Sequence, residues 1–364
     1  MSGSRVQLDR RAAVDTPAPS TDRRLYELDL GRMLAAMAVV LFHYSFVGPR
    51  LGTPEVLPSA IEPFAKYGNF GVQFFFILSG FVITLGRPDR TPGEFLKNRV
   101  VRLYPVYWVA VFLTAAATLA VEPERWFDAL VNLTMFQQAF GVAHIDGAYW
   151  SLFVELKFYG LFTLVLLFRA RAHLENILIG WLTLAAVGLA DVPIFNGSFI
   201  RELFILQYAS YFIAGAVIAL SRIEREWTAR RKALIAISWM VSMAQVVIGV
   251  RSIEFVWDVE SSEFAALLIV TGCFAVMVLA GNDKLAWLRR PRFAIVGAMS
   301  YPMYVLHQDL GYRAFRTLPG PHLLLGFGAL FVVLAVSYTI ARWVEPLLAE
   351  RLRFQVNRFS RTAS

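Results

Sequence analysis

Two residues that could carry out chemistry stand on one helix face near the start of the chain. Arg32 and His43 belong to a largely apolar segment and are eleven residues apart. At 3.6 residues per turn, eleven steps return to within about 20° of the same face and cover about 16 Å along the axis. An arginine can hold an anion, and a histidine can accept a proton near neutral pH. The spacing predicts a tether and a catalytic base at different depths of one helix.

A second basic pair, Arg99 and Arg102, comes just before an apolar stretch that begins at residue 103. Residues three apart share a helix face, and two guanidinium groups on one face suit bidentate binding of phosphate. The alternative is topological, because arginines gather with tyrosine and tryptophan at the cytoplasmic ends of many membrane helices. The pair by itself leaves both interpretations open.

The composition places these residues in an integral membrane protein. Of 364 residues, 57% are hydrophobic and 17% are charged, whereas about a quarter of an average soluble domain is charged. The formal net charge of +8 does not indicate nucleic-acid binding, because the basic residues are spread over alternate loops and form no single patch. The single cysteine, Cys273, excludes an intramolecular disulfide.

Apolar segments recur along the chain and predict an all-α bundle of about ten transmembrane helices. Most of the segments are long enough for a hydrocarbon core of about 30 Å. The fifth is interrupted by Gly180 and Gly188 and has the weakest pattern. The ten segments lie at about 33–47, 68–85, 103–121, 149–168, 174–190, 203–221, 233–250, 264–281, 293–311 and 323–344.

The distribution of basic residues sets the predicted topology. Of the 35 Lys and Arg, 25 fall on the side that holds both termini and 7 fall in the opposite loops. Basic residues collect on the cytoplasmic side of membrane proteins, so this bias predicts two cytoplasmic termini. The predicted organisation is a disordered cytoplasmic tail at 1–28, a transmembrane domain at 29–347 and a basic cytoplasmic tail at 348–364.

The predicted topology gives three further polar residues the depth of His43. They are Gln73, Glu155 and His307, each near the outer end of its own helix. A charged residue within a membrane helix costs about 2.5–3.5 kcal/mol on insertion scales, so such groups usually face the bundle interior and serve function. Structural alternatives remain for all of them. A histidine can bond a neighbouring backbone carbonyl, a glutamate can pair with a nearby cation, and amides or imidazoles can join helices.

Together these segments resemble the acyltransferase-3 family, membrane enzymes of bacteria that O-acylate glycans and related acceptors. The resemblance covers about residues 25–350 in the family's order. It rests on Asp29 with Arg32 and His43, on Gly71-Val with Phe-Phe-Ile-Leu-Ser-Gly-Phe81, on Arg99-Val-Val-Arg102-Leu-Tyr-Pro, on Trp150-Ser-Leu with Glu155 and Phe158-Tyr159, on Ser300-Tyr with Tyr304 and His307, and on Glu345-Pro346. One departure is Leu156, which stands where many members have a second acidic residue.

The resemblance implies an acyltransferase that transfers groups other than amino-acyl groups. It implies a bacterial inner membrane location, no tightly bound cofactor or metal, and acyl-CoA as co-substrate, with acetyl as the family's commonest group. The expected acceptor is a carbohydrate, an exopolysaccharide or a lipid-linked glycan, and the expected surroundings are the lipid bilayer. In this interpretation Arg32, Arg99 and Arg102 hold the phosphates of CoA.

The expected chemistry is acyl transfer from a thioester to a hydroxyl. Such transfer needs a base for the hydroxyl proton and donors for the developing oxyanion. His43 is the predicted general base, and Glu155 is expected to orient it as a carboxylate orients histidine in a catalytic triad. A transient acyl-histidine is an open alternative. The candidates for oxyanion or substrate contacts are Gln73, Tyr149, Trp150, Ser151, Tyr304 and His307.

Two other classes compete with an enzyme. A transporter or flippase could use His43, Glu155 and His307 as a proton relay, although the sequence has no internal repeat of the kind found in many transporters. An inactive helical scaffold would not explain several ionisable groups at one depth.

Overall fold

The computed structural model describes residues 25–190 and 199–362, with side chains to residue 357. All ten predicted apolar segments are helical, although residues 191–198 of the connection after the fifth, and residues 1–24 of the predicted tail, lie outside the described part of the chain. The ten principal helices are α1 (Tyr26–Arg50), α2 (Gly68–Leu85), α3 (Pro92–Leu119), α4 (Gly147–Leu167), α5 (Leu174–Val187), α6 (Ala209–Glu224), α7 (Ala229–Trp257), α8 (Glu263–Gly281), α9 (Phe293–Leu306) and α10 (His322–Asn357).

The class of fold is confirmed as all-α and multi-pass. In the described part of the chain, seven helices are long and apolar enough to cross a membrane, namely α1, α2, α3, α4, α7, α8 and α10. The other three, α5, α6 and α9, are 14 to 16 residues long. A count of ten spans and the cytoplasmic position of both termini therefore stay predictions.

Helix α1 lies between α2 and α9 and brings the Arg32–His43 face into the bundle. Its first turn begins at Tyr26, so residues 26–28 belong to the helix and not to the predicted tail. At His43 the helix changes to a π-turn, His43–Val47. A π-turn inserts an extra residue and is common at functional sites, because it redirects a side chain without ending the helix.

Helix α3 starts eleven residues before the predicted apolar segment. Pro92 occupies its first turn, and Thr91 and Glu94 form a reciprocal capping box in which Thr91 Oγ1 accepts from the Glu94 N–H at 3.2 Å. A capping box satisfies backbone donors that a helix end would leave unpaired. Hydropathy marks only the apolar part of a helix, so it missed this polar start. Arg99 and Arg102 consequently lie inside α3.

The ends of α9 and α10 also differ from the prediction. The segment 293–311 forms two helices, α9 and the short helix Gln308–Thr317, which meet at His307. At this break the backbone N–H of Asp309 donates to the buried carboxylate of Asp146, a residue distant in sequence, at 2.9 Å. Helix α10 runs on to Asn357, through much of the segment that was assigned to a tail.

Close helix contacts in the core depend on small residues. A methyl group built on Gly215 of α6 would lie 1.8 Å from the carbonyl oxygen of Ile77 in α2. One built on Gly71 of α2 would lie 2.4 Å from the carbonyl oxygen of Ala35 in α1. Glycine at these positions lets helix backbones touch, which is how small residues join helices in membranes.

Candidate active site

Three cavities lie in a row along the inward face of α1. The mouth cavity, about 610 Å³, is lined by Arg32, Arg102 and Glu345. The arginine cavity, about 110 Å³, is lined by Arg32, Arg99, Arg102, Glu155 and Tyr304. The His43 cavity, about 510 Å³, is lined by His43, Gln73, Trp150, Tyr208, Gln245 and Tyr304.

Shared walls make these cavities neighbours. Arg32 and Arg102 line both the mouth cavity and the arginine cavity. Val72 and Tyr304 line both the arginine cavity and the His43 cavity. The row therefore leads from the guanidinium groups to the imidazole over the length of the Arg32–His43 face, as the spacing of these two residues predicted.

His43 forms a pair with His307 at the end of α9. The Nδ1 atom of His43 lies 2.9 Å from Nε2 of His307 and 3.0 Å from the carbonyl oxygen of Val39. The Nδ1 atom of His307 lies 2.8 Å from the carbonyl oxygen of Tyr304, and the His307 side chain is fully buried. A carbonyl can only accept, so His307 carries its proton on Nδ1, and its Nε2 accepts a hydrogen bond from the Nδ1–H of His43. This assignment leaves the Nε2 lone pair of His43 available as a base.

The backbone around the pair is fixed by a second contact. The hydroxyl of Tyr44 donates to the carbonyl oxygen of His307 at 3.0 Å. Tyr44 is the second residue of the π-turn and is almost fully buried. The π-turn of α1 thus holds the end of α9 at the level of the imidazole pair.

Glu155 does not lie where the expected triad would need it. Its Oε1 atom accepts from the hydroxyls of Ser79 and Tyr159, each at 2.5 Å, and Glu155 lines the arginine cavity. Ser79 follows Gln73 by six residues, or about 9 Å along α2. Gln73 lines the same cavity as His43, and His307 contacts His43, whereas Glu155 lies among the arginines. The partner that contacts His43 is His307.

The three predicted phosphate-binding arginines meet in the arginine cavity. Arg32 Nη1 lies 3.8 Å from Asp29 Oδ1, three residues earlier on the same helix face. Arg102 forms an ion pair with Glu345 of α10. The guanidinium of Arg99 lies 5.8 Å from the ring centre of Tyr159. The geometry suits an anion, because three cations on two helices converge on one space.

Of the six predicted oxyanion and substrate candidates, four line the cavities, and two, Tyr149 and His307, line none of them. The hydroxyls of Ser151 and Tyr304 are 2.6 Å apart; Ser151 lines the arginine cavity, and Tyr304 lines both this and the His43 cavity. Gln73 and Trp150 line the His43 cavity. Tyr149 lines none of the three cavities and packs edge to face on Tyr107, with ring centres 5.0 Å apart.

Sequence reasoning gave no role to Asp146, although it stands in the segment that contains Trp150. Its carboxylate accepts from the N–H of Ala148 at 2.8 Å and from the N–H of Asp309 at 2.9 Å. Burial raises the pKa of Asp146 to about 7. An acidic residue immediately before an apolar helix is typical of an N-cap, so this role of Asp146 could be predicted from the sequence. Asp146 thereby joins the start of α4 to the helix that follows His307.

The helix after His307 is also braced by ion pairs on its outer side. Arg313 contacts Asp309 at 2.6 Å and Glu122 at 3.0 Å. The hydrogen bond from Arg313 lowers the pKa of Glu122, and the hydrogen bonds to Asp309 and Glu122 raise the pKa of Arg313, even though partial burial opposes both changes. Helix Gln308–Thr317 is therefore tied both to α4 and to the loop after α3.

Comparison with known proteins shows the family to which the chain belongs. The chain belongs to the acyltransferase-3 family, whose model, described as an acyltransferase domain, matches residues 25–342. The matched segment contains α1 to α9 and much of α10. It includes the residues that line the three cavities, apart from those of α10 that follow residue 342. The chain is thus a multi-pass membrane acyltransferase by family and fold.

Two curated relatives are similar to parts of the chain. The exopolysaccharide production protein ExoZ of Rhizobium meliloti (strain 1021) is 26% identical, with 66% of this chain and 75% of that protein covered. Protein 2 in the picA locus of Rhizobium radiobacter is 33% identical, with 26% of this chain and 63% of that protein covered. No solved structure was found to match the chain.

Proposed function

We propose that this protein is a membrane-bound O-acyltransferase that moves an acetyl group from acetyl-CoA to a hydroxyl of an exopolysaccharide or a related glycan. The observation that carries the proposal is the row of cavities from Arg32, Arg99 and Arg102 to the His43–His307 pair. The acyltransferase-3 family gives the reaction class. The similarity to an exopolysaccharide production protein supports a glycan acceptor.

The donor enters at the mouth cavity. Phosphates of CoA bind Arg32, Arg99 and Arg102, because guanidinium groups bind phosphate oxygens in pairs of charge-assisted hydrogen bonds. The neutral pantetheine arm passes through the arginine cavity, and the thioester carbonyl comes to the wall at Tyr304, which that cavity shares with the His43 cavity. The excess of basic residues on one side supports a cytoplasmic position for this mouth.

His43 then acts as the general base. An acceptor hydroxyl gives its proton to Nε2 of His43 while its oxygen attacks the thioester carbon. The positive charge formed on the ring is shared with His307 through the Nδ1–H···Nε2 hydrogen bond, since a bond to a charged donor strengthens as the charge forms. Collapse of the intermediate breaks the C–S bond, and the proton returns from His43 to the CoA thiolate.

The Ser151–Tyr304 pair is placed to receive the oxyanion. Both hydroxyls lie close to the carbonyl oxygen of Ala148, at 3.2 Å each, and to each other. One of their two protons can turn towards a developing negative charge at the cavity wall without leaving that carbonyl unpaired. Fixed donors at the site of charge development account for a large part of acyl-transfer catalysis.

The test is transfer from labelled acetyl-CoA by protein in lipid nanodiscs, with exopolysaccharide supplied on the other side. Wild type should release CoA and label the glycan, and His43→Ala should lose both while its yield and thermal unfolding stay normal. A transporter would move substrate without releasing CoA thiol. If His43→Ala kept even a tenth of the wild-type rate, the base would have to be another residue.

A further inference from the structure

The His43 cavity has a wall chemistry that differs from the rest of the row. The arginine cavity is small and charged, whereas the His43 cavity is about 510 Å³ and carries both aromatic and amide side chains. This volume lies within the range of about 300–1,000 Å³ that is usual for small-molecule sites. At its edge the exposed residues Gln207 and Ser252 bring the cavity to the protein surface.

One wall is a fixed aromatic surface. The rings of Trp150 and Tyr208 have centres 5.6 Å apart and are tilted by 38°. Phe76 supports both, at 5.1 Å from Tyr208 and 6.4 Å from Trp150. The flat C–H face of a pyranose ring packs well on such a surface, because an aromatic face offers a large apolar area with partial negative charge.

The other wall holds two glutamines that are already fixed in orientation. With its nitrogen facing them, Gln73 donates to the carbonyl oxygens of Asn69 at 3.1 Å and Phe70 at 3.2 Å, which leaves its own oxygen to accept. Gln245 donates to the carbonyl oxygen of Leu206 at 2.9 Å, which leaves its second amide proton to donate. A rigid acceptor and a rigid donor suit sugar hydroxyls, which both donate and accept.

The charges along the described wall agree with a sugar. Arg201 is the one charged side chain among the described residues that line this cavity, and no aspartate or glutamate of the described chain lines it. A cationic acceptor would find no counter-charge among the described residues of this wall. A neutral sugar fits both the aromatic surface and the amides.

We propose that the His43 cavity is the acceptor site and binds one hexopyranose unit of a glycan. The ring packs on Trp150 and Tyr208, hydroxyls bond to Gln73 and Gln245, and one further hydroxyl faces Nε2 of His43. This inference rests on the proposed function, since it assigns the acceptor of that reaction. In this arrangement His43 lines the acceptor cavity, and the donor reaches it past Tyr304, which lines both this cavity and the arginine cavity.

The test measures sugar binding without acyl transfer. Diethyl pyrocarbonate modifies unprotonated imidazole nitrogens, so the rate of His43 modification, followed by peptide mass spectrometry, reports access to its Nε2. The probes are the methyl glycopyranosides of glucose, galactose and mannose, with glycerol at equal concentration as the solvent control. The exposed His322 on α10 is the internal control for reagent activity.

A binding glycoside at about ten times its dissociation constant should slow modification of His43 roughly tenfold and leave His322 unchanged. Trp150→Ala and Gln73→Ala should lose this protection, while Trp150→Phe should keep part of it. Gln138→Ala is the matched control, because Gln138 is an exposed glutamine that lines none of the three cavities. Each variant is compared at its own rate of unprotected modification, which separates lost sugar binding from a general opening of the site.

If none of the three glycosides protects His43, or if Trp150→Ala and Gln73→Ala are protected like wild type, the assignment of this cavity to a sugar is wrong. Neither result bears on the donor side, since acetyl-CoA turnover is measured separately. Conversely, protection by sugars without any use of acetyl-CoA would keep the sugar site and overturn the proposed reaction.

Discussion

The Nδ1 atom of His43 lies 2.9 Å from the Nε2 atom of His307, across 264 positions of sequence. The contact joins the π-turn of α1 to the end of α9, where the chain breaks before the helix Gln308–Thr317. Together with the carbonyl oxygen of Val39, 3.0 Å from the same Nδ1 atom, His307 fixes which nitrogen of His43 carries the proton and therefore which nitrogen can act as a base. Because the contact depends on the position of α9, the reactivity of His43 is set by a helix near the other end of the chain.

Replacing His307 with alanine removes one of the two acceptors near the Nδ1–H of His43, the other being the carbonyl oxygen of Val39. A hydrogen bond to a charged group contributes about 1.5–3 kcal/mol, so the turnover number should fall about 10- to 150-fold. The KM for acetyl-CoA should stay the same, because the donor's phosphates bind at the arginines. His307→Gln should recover part of the rate, since an amide oxygen can accept the same proton. Steady-state kinetics with both variants checks this, and an equal loss in the alanine and glutamine variants would contradict a positioning role.

Glu155→Gln tests the role that the structure gives this carboxylate. Glutamine keeps the oxygen that accepts from Ser79 and Tyr159 but removes a negative charge from the arginine cavity. The arginines should then attract phosphate more strongly, and the KM for acetyl-CoA should fall by a few-fold. The pH dependence of turnover should stay that of wild type, because Glu155 does not contact His43. A shifted pH profile would instead show that Glu155 orients His43.

Arg102→Ala should weaken donor binding and leave the chemical step alone. Loss of one charge-assisted contact to phosphate predicts a rise of about 10- to 150-fold in the KM for acetyl-CoA. Arg102→Lys should recover part of this, since an ammonium keeps the charge but lacks the planar fork. With an acetyl-pantetheine that lacks the nucleotide phosphates, wild type and Arg102→Ala should perform alike. An equal deficit with both donors would mean that Arg102 serves folding.

Glu345→Gln is the complementary change at the mouth cavity. Glu345 pairs with Arg102, so a phosphate must compete with this carboxylate for the guanidinium. Removing the charge should lower the KM for acetyl-CoA and leave that for acetyl-pantetheine unchanged. Measuring both constants at low and high salt checks the electrostatic cause, because the advantage of the variant should shrink as salt rises.

Asp146→Asn should loosen the helix that follows His307. One carboxylate oxygen accepts from Ala148 and the other from Asp309, and asparagine offers a donor in place of one of them. An unpaired buried group costs about 1–3 kcal/mol, so the midpoint of thermal unfolding in detergent should fall.

In wild type, burial raises the pKa of Asp146 to about 7 from an unfolded value of about 4. The folded state thus binds the extra proton between these values, and its stability should decline as the pH rises from about 4 to 7. Asp146→Asn should lack this contribution to the pH dependence.

The sequence by itself determined the class of protein, the helices and the inward face of α1. An apolar run indicates a segment that is buried in lipid, and this holds however the helices pack against one another. The run at 68–85 therefore predicts α2, which spans Gly68–Leu85. The Arg32–His43 face followed from helix geometry alone, because both residues lie in one continuous helix. Hydropathy failed where a helix is polar, as at the capped start of α3 and the far end of α10.

Only the tertiary structure decided which polar groups meet. Depth in a membrane can be counted along each helix, but the rotation and tilt of one helix against another follow from packing at sites such as Gly215 and Ile77. Counting residues along each helix predicts Glu155 at the level of His43. In the packed bundle Glu155 instead accepts a hydrogen bond from Ser79, and His43 contacts His307. The break after His307 depends on Asp146, a carboxylate more than 160 residues away from Asp309 in sequence. Contacts over such separations arise from the fold as a whole, and no local pattern specifies them.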